Sequence, residues 1–226
     1  MKKYFFLLSL LIVVSVSAQA QEAYSIRQLS DMVGQLEWNK ASQKEVSLIS
    51  GSPYLYDDFK AGDVYYDGKY KVEQIQLRFN LYNDEFEYRE NTITKSFAKP
   101  QRIDKIVIGD EVFIYLKKSG SYKISGFVKM WNADFPTVLT KMTTEFLEKE
   151  EAKPYVVPKP DRFERKHDKH YVMKSDTEIE KIASVKKLIK YLGVHSAELT
   201  KYAKKERISA SDGTELAMLI DYYHEL

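Results

Sequence analysis

The sequence predicts an α+β protein: a mainly antiparallel β meander or roll followed by a small C-terminal helical subdomain. Three observations predict it. Period-two alternation dominates residues 51–147. Turn pairs such as Asp67-Gly68 and Gly109-Asp110 separate the alternating runs. After Ser184 the apolar spacing changes to three and four, the helical period.

Lys2 and Lys3 precede an apolar run of 13 residues, Tyr4 to Val16, and then Ala18-Gln19-Ala20. That order of positive, apolar and small residues is a secretory signal, predicting cleavage before Gln21. The run is short of the roughly 20 residues a membrane-spanning helix requires. Residues 1–20 are therefore expected to be a signal peptide and 21–50 a short helix plus linker. Ile26, Leu29, Met32, Val33 and Leu36 carry the helical spacing over 25–37.

Within the β domain, expected over 51–147, Ile75, Leu77, Phe79 and Leu81 alternate with Gln76, Arg78 and Asn80. This marks a half-buried strand. Asn83-Asp84 turns it into a second strand with Phe86 and Tyr88 inward. Val64-Tyr65-Tyr66 and Tyr70-Lys71-Val72 flank Asp67-Gly68 as another hairpin. Ile106–Ile108 and Val112–Leu116 flank Gly109-Asp110, and the second run, apolar on both faces, is expected to be covered on both. Tyr122–Met130 and Val138–Leu147 read as weaker strands.

A proline-rich linker is expected over 148–162, since Lys153 to Pro160 holds three of the six prolines. Residues 163–226 are expected to hold a further β-hairpin and the helices. Val185, Leu188, Ile189 and Leu192 form one helical stripe with Gly193 as its C-cap. Leu199, Tyr202 and Ala203 mark a second helix. Asp212 and Glu215 form a capping box for a third, whose inward stripe is Leu216, Leu219, Ile220 and Tyr223.

The chain of 226 residues carries 35 Lys+Arg against 33 Asp+Glu, and no cysteine. The missing cysteine excludes disulfides, thiolate metal sites and a cysteine nucleophile. Removing residues 1–20 removes two lysines and no acid, leaving 33 charges of each sign. This balance supplies no general attraction to nucleic acid or to an anionic membrane.

Several segments resemble one group of proteins. They are Gly51-Ser-Pro-Tyr-Leu55, Asp58-Phe59, Gly62-Asp-Val-Tyr65, Asp67-Gly68-Lys69-Tyr70, the run Leu77 to Glu87, and Leu219-Ile-Asp-Tyr-Tyr223. Together they are similar to small exported proteins of uncharacterised function from Bacteroidota. The resemblance implies a compartment and a whole-chain layout, and assigns no catalytic residue.

The chain has no G-x-S-x-G elbow, H-E-x-x-H pair, Walker loop or G-x-G-x-x-G turn. His167-Asp168-Lys169-His170 is the one local ligand cluster. Positions three apart on a strand face opposite ways, so it reads as an exposed, charged hairpin tip. Asp57-Asp58 and Asp84-Glu85-Glu87 offer acidic pairs, which serve a hydrolase only if two of them face each other across a cleft. Ten aromatic residues lie between Tyr54 and Tyr88, with Tyr65, Tyr66 and Tyr82 expected outside. Such residues suit sugar or peptide contacts as well as strand packing. No catalytic, cofactor-binding or metal-ligating residue is assigned, and no cofactor is implied. The expectation is an exported, periplasmic or extracellular, non-catalytic binding or structural module of the cell envelope. Its expected partner is an envelope protein or glycan, with no nucleic acid and no transmembrane segment after cleavage. The alternative is a carboxylate-dependent hydrolase of envelope glycans or peptides.

Overall fold

The computed structural model describes residues 49–118, 124–149 and 159–226, and the backbone of Gln35–Glu37. Thirteen strands and three helices occur among them. The strands are β1 (Gln35–Glu37), β2 (Lys60–Tyr66), β3 (Tyr70–Asn80), β4 (Glu85–Glu90), β5 (Ile93–Phe97), β6 (Ile103–Ile108) and β7 (Glu111–Leu116). They continue with β8 (Gly126–Met130), β9 (Thr137–Lys141), β10 (Thr144–Leu147), β11 (Arg162–Arg165), β12 (Lys169–Ser175) and β13 (Glu178–Lys181). Helices α1 (Val185–Leu192), α2 (Ser196–Lys205) and α3 (Gly213–His224) follow. The expected α+β architecture is the one observed, and none of these helices is long and apolar enough to cross a membrane.

Eleven strands form one antiparallel sheet in the order β1-β5-β4-β3-β2-β6-β7-β8-β9-β12-β13. The hairpin turns follow their residue types. Asp67 and Gly68 both have positive φ, 52° and 71°, as the tight turn between β2 and β3 requires. The expected helix over 25–37 fails at its end, because Gln35–Glu37 pairs with β5 as a strand. The rest of that expectation lies outside the described residues, as does most of the proline-rich segment.

The sheet rolls over on itself. Four steps separate β3 from β8, about 19 Å if the sheet were flat. Yet the ring centroids of Phe79 and Phe127 are 5.9 Å apart, and those of Phe86 and Phe127 4.9 Å. Phe79, Phe86, Phe113 and Phe127 thus fill the space between the two halves, with Leu77, Tyr88 and Ile106 beside them. Tyr66 belongs to this core and is wholly buried, not outside as expected. Alternation along β2 explains it: Tyr66 shares the inward side with Val64 and leaves Tyr65 outward.

Strand β9 is covered on both sides. Val138 and its cross-strand partner Val172 lie under the helices with Leu188, Leu199 and Leu216. Leu139 packs the other way, with Val128, Met173 and Ile179. Strands β12 and β13 therefore continue the sheet of the first half. The expected double cover of Val112–Leu116 is incomplete: Phe113 and Leu116 are buried, while Val112 and Ile114 remain half-buried on the outer side.

The helices begin and end as their sequences demand. Ser184 Oγ accepts from the Lys187 N–H at 3.2 Å, and Gly193 ends α1 with φ 88°. Asp212 Oδ1 accepts from the Thr214 and Glu215 N–H groups at 2.8 and 3.2 Å. The expected capping box is only half formed, because Glu215 turns instead to the Ser209 N–H at 2.6 Å. Helix α3 is anchored by Asn132, whose amide donates to Ala217 O (3.2 Å) and Asp221 Oδ1 (2.8 Å). Gly213 lies on the Trp131 indole, where a Cβ would come within 2.7 Å of the ring.

Candidate functional site

The acidic residues differ in burial. Asp57 and Asp58 are exposed, whereas Glu87 keeps only 1% of its surface. Strand pairing sets Arg78 directly opposite Glu87. Arg78 donates to Glu87 Oε2 from Nη2 (2.8 Å) and Nε (3.2 Å), and Asn80 Nδ2 donates to Oε1 at 3.1 Å. The guanidinium carbon of Arg78 lies 3.6 Å from the Tyr54 ring centroid and 4.4 Å from that of Phe59. Burial, and then the nearby Glu87 charge, pushes the Tyr54 hydroxyl up to about 12. Glu85, half-buried on the same strand, is raised above the ordinary carboxylate range by burial. Both oxygens of Glu87 are therefore occupied.

The histidines do not converge either. His167 is exposed, but His170 is only 4% exposed, so the expected hairpin tip is wrong for half of the cluster. Strand β12 turns His170 under the helices. There Nε2 meets the Ser211 carbonyl at 3.1 Å and Nδ1 meets Thr140 Oγ1 at 2.9 Å. A carbonyl only accepts, so Nε2 carries the proton and the Thr140 hydroxyl donates to Nδ1. Thr140 accepts in turn from Trp131 Nε1 at 2.7 Å. Both ring nitrogens are thereby used. Among the described residues, no three His, Asp or Glu side chains are placed to hold a metal ion.

An open cleft of about 370 Å³ lies on the outer side of β2, β6, β7 and β8. Tyr65 of β2 lines it. Register sets Lys71 of β3 directly across from Tyr65 on one side and Lys105 of β6 on the other. Their Nζ atoms lie 5.1 and 4.6 Å from the Tyr65 ring centroid. A second tyrosine–lysine pair, Tyr70 and Lys69, adjoins it at 4.6 Å. Ile114 and Met130 close the far end with apolar surface.

The charges in this row are not equivalent. Lys71 binds Glu73 at 2.6 Å and Asp63 at 3.0 Å, and the Glu73 contact above all raises its ammonium pKa. Asp104 at the rim accepts from the Gly68 N–H at 2.7 Å. Lys105 is exposed and forms no ion pair among the described residues. The cleft thus offers an aromatic face, a cation and an apolar end. Aromatic, cationic and apolar surface in one cleft is the kind of lining that contacts sugar rings and extended peptides in general.

The sequence marked the aromatic-rich stretch and the outward position of Tyr65. It gave no sign of Lys105, Ile114 or Met130, which reach the cleft through the pairing of distant strands. No family model, no curated protein and no solved structure matches this chain.

Proposed function

We propose that this protein is an exported, non-catalytic binding module of the cell envelope, with the Tyr65 cleft seating an envelope glycan or protein segment. The supporting observation is the pairing of Tyr65 with Lys71 on one side and, on the other, the exposed Lys105, without an ion pair among the described residues, at an open cleft with an apolar end, while Glu87 is held by Arg78 and Asn80. The secretory pattern of residues 1–20 and the resemblance to exported Bacteroidota proteins support the compartment.

The test immobilises the chain from Gln21 onward, as wild type and as the Tyr65→Ala/Lys105→Ala variant, over solubilised envelope. The expected result is one glycan or polypeptide species retained by wild type and lost from the variant. Equal retention by both would remove the cleft from the proposal. Turnover of a glycan or peptide library that disappears in Glu85→Gln would replace the binding role with the hydrolase. Recovery of product still bearing Met1 would remove the export assignment.

A further inference from the structure

A second concavity, about 520 Å³, lies between the β12–β13 hairpin and α1. Its floor is apolar, made by Val172, Ile182 and Leu188. Its walls are mostly lysine. Lys174 is held in place, donating to the Tyr191 carbonyl and lying 4.2 Å from the centroid of that ring. Glu178 is engaged as well, accepting from the Tyr191 hydroxyl at 2.7 Å.

Lys181, Lys187 and Lys190 remain. All three are exposed and form no ion pair among the described residues, and Glu180 is the one acid of the groove left to offset them. Lys187 and Lys190 stand three residues apart on α1, hence on one face. The excess positive charge continues along the chain. Residues 184–207 carry seven Lys or Arg against two Glu, a net +5, in a chain whose charges otherwise balance closely. At the turn joining the two basic helices, Val194 is 52% exposed.

We infer that the α1–α2 side of the protein docks on the phosphate groups of an anionic lipid surface, with Lys181, Lys187 and Lys190 as contacts and Val194 entering the interface. The reasons are charge complementarity and extent. Lys181 on β13 and Lys187 and Lys190 on α1 line one groove, and these three cations exceed what one small anion neutralises. An apolar residue at the tip of a basic surface is the pairing that an interfacial site uses. A single-stranded nucleic acid would require an open aromatic face for stacking, and Tyr191 is covered by Lys174.

The experiment is flotation of the mature chain with vesicles of phosphatidylcholine alone or with about one third phosphatidylglycerol. Wild type is expected to float only with the phosphatidylglycerol vesicles, and to be released near 1 M salt, where screening acts within about 3 Å. Lys187→Ala/Lys190→Ala is expected to bind about 30-fold more weakly, from the contribution of each surface lysine. Both side chains are exposed, so the variant keeps its fold, which circular dichroism checks. Val194→Asp is expected to weaken binding further. The inference is overturned by equal flotation with neutral vesicles or by unchanged binding of the lysine variant. Complete competition by inorganic phosphate would make this a free-anion site instead, and competition by an oligonucleotide a nucleic-acid site. Either would overturn the lipid assignment without touching the Tyr65 cleft.

Discussion

The carboxylate of Asp84 rests against the bare α-carbon of Gly126. A Cβ on Gly126 would lie 1.7 Å from Asp84 Oδ2 and 2.8 Å from Lys141 Nζ. Asp84 Oδ1 also meets Lys141 Nζ at 2.7 Å and accepts from the Phe127 N–H at 3.3 Å. One turn, between β3 and β4, is thus fastened to β8 and β9, and this contact closes the roll over the phenylalanine core.

Gly126→Ala is expected to destabilise the protein by about 2–5 kcal/mol. Positive φ at a residue with a Cβ contributes roughly 1–2 kcal/mol, and forced overpacking about 1–3 kcal/mol. Gly126 has φ 85°. Urea unfolding measures the loss. Gly68→Ala is the control: it shares the positive φ but has open space around it, so its cost stays near about 1–2 kcal/mol.

Asp84 also sets a pH dependence. Burial raises its carboxyl above the ordinary 3.8, and Lys141 offsets this only in part. The folded chain then holds this proton more tightly than the unfolded chain does. As pH rises from 3.8 through the folded value, stability attributable to Asp84 falls, and above that window it is constant. Asp84→Asn removes this slope. Unfolding midpoints of wild type and variant, compared across about pH 3–6, are expected to show their difference changing in that direction.

Arg78→Met is expected to lower stability by about 3–5 kcal/mol, because it leaves Glu87 charged, buried and facing one amide. Arg78→Met/Glu87→Met is expected to recover much of that loss, since apolar replacement of both partners removes the uncompensated charge. Denaturant unfolding of the single and double variants tests the pair. A double variant as unstable as the single one would show that the Tyr54 and Phe59 packing matters more than the charge.

His170→Phe keeps a ring in place but deprives Thr140 and the Ser211 carbonyl of their partner. The expected loss is about 1–3 kcal/mol, and the first part to loosen is the packing of α3 on Trp131. Fluorescence in a Trp38→Phe background makes Trp131 the sole indole reporter. The emission shift is expected at lower urea than the loss of far-ultraviolet signal.

Much of the fold was legible because its signals are local. Alternation from Ile75 to Leu81, the Asp67-Gly68 turn and the C-cap at Gly193 each act within a few residues. Strands β5 and β13 were not legible. Glu178–Lys181 contains a single apolar residue, and both strands exist because a neighbour offers them a ladder. The burial of His170 was hidden for the same reason, as its partners lie 30 and 41 positions away in sequence. Of the candidate cleft, Tyr65 could be read from alternation. The lysine on its far side depends on which strand follows β2 in the sheet, and no local pattern specifies that.

The seat of β12 beside β9 has a consequence for truncated chains. β9 gains its second neighbour only when residues from beyond the proline-rich segment return to it. A product severed in that segment would present a naked strand whose N–H and C=O groups seek any other chain. Proteolysis there would yield self-associating fragments rather than two tidy halves, and the final third of the polypeptide acts as the sheet's guard against polymerisation.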